Sequence, residues 1–116
     1  MPAYQLLRQE EQEDEIQLKA QLEAELAECT EAKQTYRNKV KAFMEAQGIW
    51  HISELDYPLR EAFHEFLEGQ ISPVSYNLYM KAFDQIKQHS LRNQLRKLKY
   101  ENKLFFLFYH PDQILV

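Results

Sequence analysis

Cysteine occurs once in this chain, as Cys29, so no disulfide can form within it. A chain without disulfides fits a reducing compartment. The opening residues MPAYQLLRQEEQ are acidic and lack the apolar core of a secretory leader, so a cytoplasmic location is expected. The longest apolar run, Leu104 to Tyr109, is far too short to span a bilayer, and no membrane partner is expected. Glycine appears twice and proline four times, too few turn residues to divide 116 residues into many short strands. Catalytic signatures are missing as well: there is no HExxH, CxxC, phosphate-cradling glycine run or GxSxG. His64-Glu65 lacks the second histidine, four residues after the first, that a zinc-binding helix needs. His51, His64, His89 and His110 fall on four different predicted elements. The chain is therefore expected to be no enzyme and to need no cofactor, no metal and no small-molecule substrate.

What is abundant is helix-forming sequence. Ala, Leu, Glu, Lys and Gln dominate, and 45% of residues are hydrophobic, enough to build one core. Leu18, Leu22, Leu26 and Cys29 recur at helical spacing and predict a helix from near Tyr4 toward Cys29. Glu10 to Glu15 contains no apolar residue, so the first turns of that helix are expected in solvent. It reads as an acidic amphipathic helix laying one stripe on the domain, with a dimerising coiled coil as the alternative. A second helix is expected from Thr30–Thr35 to Gln47, with Thr35 as its N-cap and Gly48 in a left-handed stop. Its buried stripe is Tyr36, Val40, Phe43 and Met44, in phase with the first, so a single continuous helix is also possible. Trp50, Ile52 and Leu55 anchor the connector that follows. A third helix runs from about Pro58 to Glu68, capped by Asp56 and stopped by Gly69, with Leu59, Phe63, Phe66 and Leu67 inside. Ser72-Pro73 opens a fourth, with Tyr76, Tyr79, Met80, Phe83 and Ile86 as its stripe. That helix ends near His89-Ser90 or continues through Leu91, Leu95 and Leu98 toward Tyr100. The expected fold is all-α, a small orthogonal bundle of four to five helices with an N-terminal amphipathic helix. The chain divides into an acidic helix (1–32), a helical domain (33–100) and a linker or the start of a further domain (101–116). The apolar stretch at 104–109 and the Ile114-Leu115-Val116 ending favour a piece of something longer.

The net charge of −4 hides an asymmetry. Residues 1–32 hold two basic groups against nine acidic ones, whereas residues 73–116 hold seven basic against three acidic. Residues 87–99 carry Lys87, Arg92, Arg96, Lys97 and Lys99 with no acid. Since salt screens charges beyond about 8 Å, a distant acidic segment does not cancel a local basic face. Arg92, Arg96 and Lys99 share one face if helix continues there, and Arg37, Lys39 and Lys41 form a second basic group. Asn77, Tyr79 and Lys81 lie near the start of the fourth helix, where they reach phosphates or base edges if that helix lies in the major groove. These residues make double-stranded DNA the expected partner.

The order of side chains carries a more specific likeness. Thr35-Tyr36-Arg37-Asn38-Lys39-Val40-Lys41-Ala42-Phe43 is followed by Ile52-Ser53-Glu54-Leu55, then FHEFLEG from Phe63, then the stretch from Ile71-Ser72-Pro73 through Tyr76-Asn77 to Phe83. Over residues 35 to about 90 this resembles the core-binding (SAM-like) domain of tyrosine recombinases, the phage-type integrases. The resemblance implies a domain that holds one face of a recombination core site while a separate catalytic domain clamps the other. It also implies other recombinase protomers as partners in a full-length assembly. The arginines, histidine and tyrosine nucleophile of that catalytic domain would lie elsewhere, so none of the seven tyrosines here takes that role. Residues 1–32 match no part of the pattern. A helical protein-interaction module that never touches DNA is the competing reading, since it explains the acidic segment and the apolar 104–109 stretch more directly.

Overall fold

The computed structural model describes the backbone of residues 3–109 and the side chains of residues 11–102. Among these residues the chain is all-α: α1 (Ala3–Ala27), α2 (Gln34–Gln47), α3 (Tyr57–Leu67) and α4 (Pro73–Tyr109), with a 3₁₀ turn at Ile52–Glu54 before α3. No described helix is long and apolar enough to cross a membrane.

The element ends follow from local chemistry. α2 stops at Gly48, whose φ of 69° lies in the left-handed region. There the amides of Gly48 and Ile49 donate to the carbonyls of Glu45 (3.2 Å) and Met44 (2.9 Å), closing the helix end. At the start of α3, the Asp56 carboxylate accepts from the Leu59 amide at 3.0 Å, as an N-cap should. Leu67 to Gln70 form a type II turn, with Glu68 at φ −56°, ψ 132°, Gly69 at φ 74° and the Gln70 amide on the Leu67 carbonyl. Ser72 opens α4, its hydroxyl accepting from the Ser75 amide at 3.4 Å.

Thr35 does not cap α2. The N-cap position belongs to Lys33, which makes no side-chain cap bond, and Thr35 lies inside the first turn. α1 and α2 are separate helices, because residues 28–33 turn the chain through a series of short backbone bonds. Arg37 stabilises this turn by donating from Nη1 to the Cys29 carbonyl at 3.1 Å. α4 neither stops at His89-Ser90 nor breaks at residue 100; it is one helix of 37 residues, about 55 Å long.

The core is a cluster in which every helix takes part: Leu22, Leu26 and Cys29 from the α1 end, Val40, Phe43 and Met44 from α2, Phe63 and Leu67 from α3, and Met80, Phe83 and Ile86 from α4. Phe43, Phe63 and Phe83 form its centre with Phe66 at the rim, and Phe63 lies 5.2 Å from Phe43, 5.3 Å from Phe83 and 6.3 Å from Phe66 between ring centroids. Ile52 and Leu55 are buried members of the cluster, and Trp50 is partly buried against it. Tyr76 is only half-buried, because its hydroxyl turns outward to His64 Nδ1. The second half of α1 thus shares one core with residues 33–90.

The two long helices reach beyond that core. The Cα envelope measures 60 × 53 × 23 Å and the radius of gyration is 19.4 Å, against about 13 Å for a compact chain of this length. Residues 11–21 of α1 are exposed except for a half-buried Leu18, and residues 91–102 of α4 are exposed except for a half-buried Asn93. Residues 110–116 lie outside the described residues, and so do the side chains of the 104–109 stretch.

Candidate nucleic-acid interface

α4 turns one face outward for most of its length. At about 100° per residue, Asn77, Lys81, Arg92, Arg96 and Lys99 fall within an arc of roughly 100° on the side opposite Phe83 and Ser90. All five are exposed. Gln85 and Gln88 occupy the stretch of this arc between Lys81 and Arg92, and no described acidic residue falls within it. Lys81 to Lys99 spans about 27 Å along the helix axis. Asp84, at the edge of the arc, is bound by Arg60 through Nε (2.8 Å) and Nη2 (3.2 Å), a two-pronged bond that holds the guanidinium in its charged form.

Lys33 joins this face, although nothing in its local sequence marks it. It lies beside Lys81 across a shallow depression of about 140 Å³ that Tyr36, Leu78 and Gln85 also line. The two lysines are 48 positions apart, so only the packing of α2 on α4 brings them together. Glu31 lines the same depression and pairs with Arg92 at 3.0 Å. Both partners of that pair are about half exposed, so the bond is weak.

The remaining basic residues are placed differently. Arg37 is held on the Cys29 carbonyl. Lys39 donates to Gln70 Oε1 at 3.0 Å with its ammonium 5.4 Å from the centre of the Phe66 ring. Lys41 pairs with Glu23 at 2.9 Å. Tyr79 is half-buried, its ring edge-on to Tyr36 at 4.8 Å. Lys87 is half-buried on the flank of α4. Lys97 points to the other side of the helix, over an opening lined by Glu25, Glu28 and Ser53. The structure therefore brings together Asn77, Lys81, Arg92, Arg96 and Lys99, and leaves the Arg37, Lys39 and Lys41 group engaged within the fold.

The titratable groups elsewhere are dispersed. The Glu25 carboxylate holds His51 Nδ1 at 3.1 Å and accepts from the Ile52 amide at 2.9 Å, fixing the 3₁₀ turn to α1. His64 meets Tyr76 and Glu68, and His89 meets Asn93 and Glu28. Among the described residues no three His, Cys, Asp or Glu side chains gather as metal ligands would. His110 lies outside the described residues. Burial pushes the Cys29 thiol up to about 11, which keeps it protonated near neutral pH.

No protein-family model, curated protein or solved structure matches this chain. Its functional reading rests on the residues themselves.

Proposed function

We propose that this chain is a DNA-binding helical domain that grips a duplex through its phosphates, as the core-binding domain of a tyrosine recombinase does, without catalysis of its own. The observation that carries this reading is the outward face of α4, which has no described acidic residue of its own. There Lys81, Arg92, Arg96 and Lys99 are all exposed, with Lys33 alongside and the neighbouring Glu31 paired to Arg92. Phosphate binding requires several cations on one surface, each releasing counterions on contact. Asn77, Gln85 and Gln88, on the same arc, each carry both a donor and an acceptor for a base edge, and Asn77 is the one nearest the helix start.

The test is fluorescence anisotropy of a labelled duplex against the protein between 20 and 200 mM salt. Four phosphate contacts imply a slope of log affinity on log salt near −3.6, so affinity falls about three to four orders of magnitude across that range. Arg96→Glu and Lys97→Glu make the same charge change at adjacent positions on different faces of α4. Arg96→Glu is expected to weaken binding at least about tenfold and to flatten the slope by about one, while Lys97→Glu does neither. Absence of binding at 20 mM salt refutes the reading, and equal losses in the two variants reduce it to attraction by bulk charge.

A protein-interaction module is the second reading, favoured by Leu91, Leu95 and Leu98. These leucines are 41–57% exposed and form their own stripe beside the basic face.

A further inference from the structure

The depression between the start of α2 and α4 holds more chemistry than a grip on phosphate requires. Lys33 and Lys81 line it, and either cation suits a phosphate. It is also lined by the Tyr36 ring, the Leu78 side chain, the Gln85 amide and the Glu31 carboxylate. A paired duplex lying on α4 presents phosphates and base edges, and keeps the faces of its bases stacked inside. It offers an aromatic ring and a leucine little apolar surface to cover.

The two apolar groups suit the face of a base instead. Tyr36 is half-buried, and its ring meets Tyr79 almost at right angles with centroids 4.8 Å apart, so it is held before anything binds. Leu78 is 44% exposed. The polar groups suit an edge. Gln85 brings both a donor and an acceptor, and Glu31 keeps Oε2 as a further acceptor, since Arg92 takes its Oε1 at 3.0 Å. Two lysines against one paired carboxylate leave the depression positive. Its volume, about 140 Å³, is on the scale of one base and not of a base pair.

We propose that this depression receives one unpaired nucleotide of a DNA strand. The base lies against Tyr36 and Leu78 with Gln85 and Glu31 on its polar edge, and Lys33 and Lys81 take the phosphates to either side. Every base has a face to stack, so the site selects for an unpaired base and not for a sequence. The proposal rests on the nucleic-acid reading above and narrows the partner to a duplex with an extrahelical base beside the segment that α4 grips.

Fluorescence anisotropy of three labelled duplexes tests it: one fully paired, one with a single extra adenine in one strand, and one with an abasic residue in place of that adenine. At 100 mM salt the adenine-bulged duplex is expected to bind about tenfold more tightly than either of the others, the scale of one base stacked on one aromatic ring. Leu78→Ala and Tyr36→Leu keep the charge and the apolar character of the site but remove one wall or the aromatic face. Each is expected to cut the preference below about threefold. Paired-duplex affinity and far-ultraviolet circular dichroism should stay as in the unaltered chain. A paired duplex that binds as tightly as the bulged one overturns the nucleotide site and leaves the duplex reading standing. Equal binding of the bulged and abasic duplexes also overturns it, because flexibility and not the base is then sensed. So does a preference that survives both substitutions, or deoxyadenosine monophosphate binding more tightly than the bulged duplex. A bulged duplex that binds where the paired one fails even at 20 mM salt supports the site and refutes the duplex reading. Failure of all three duplexes at that salt refutes both.

Discussion

Replacing Phe63 by alanine probes whether the phenylalanine cluster centres this fold. Phe63 is fully buried and is the one ring within stacking distance of three others, on α2, α3 and α4. Truncation removes its transfer energy and leaves a cavity walled by rings from three helices, which cannot all close in together. A cost of about 3–5 kcal/mol follows. At roughly 0.05–0.15 kcal/mol per residue, the whole chain has on the order of 10 kcal/mol to lose. With a urea m-value near ~1.5 kcal/mol/M, the unfolding midpoint should fall by about 2–3 M with little change in slope. Urea titration followed by circular dichroism at 222 nm measures it. Two companions calibrate the result. Phe66→Ala, at the half-buried rim of the same cluster, should cost about half as much, and Tyr57→Ala, 65% exposed, should change stability by no more than ~0.5 kcal/mol. A midpoint shift for Phe63→Ala smaller than that for Phe66→Ala would refute the placement of the core.

Gly48→Ala should cost about 1 kcal/mol by urea titration, because the left-handed φ of 69° penalises a Cβ although nothing lies within 4 Å of it; Gly48→Asn should cost less. Glu25→Ala should cost about 1–3 kcal/mol and remove the hydrogen-exchange protection of the Ile52 amide, whose partner is the Glu25 carboxylate. Cys29, with its thiol raised from 9.0 to about 11, should react with iodoacetamide at pH 8 at least about 100-fold more slowly in the folded chain than in urea. The fold holds the protonated thiol, so the Cys29 contribution to stability is full below pH 9 and is lost as pH rises from 9 toward 11; alkaline unfolding should be milder in Cys29→Ala.

Much of the fold is local and therefore legible. The stripes of α1 to α4, the Asp56 cap, the Ser72-Pro73 start and the two positive-φ glycines each depend on residues within a few positions of one another. Thr35 misleads because its sequence context suits a cap, yet the turn at 28–33, held partly by Arg37, lets α2 start two residues earlier than a Thr35 cap allows, at Gln34. The length of α4 was open, since Leu91, Leu95 and Leu98 keep the helical period without needing a core to justify it.

The candidate interface divides the same way. That Arg92, Arg96 and Lys99 share a helical face is arithmetic on the sequence. That Lys33 stands beside Lys81, that Glu31 reaches Arg92 across 61 positions, and that Lys39 and Lys41 are occupied by Gln70 and Glu23 depends on how α1, α2 and α4 cross. The sequence alone determined an all-α chain, the Asp56 and Ser72 caps and the charge asymmetry, because periodicity and capping act over a turn or two of helix. Only the tertiary structure decided which cations are engaged within the fold and where α1 and α4 leave the core, because those outcomes depend on side chains far apart in the chain and brought together by burial of the phenylalanine cluster.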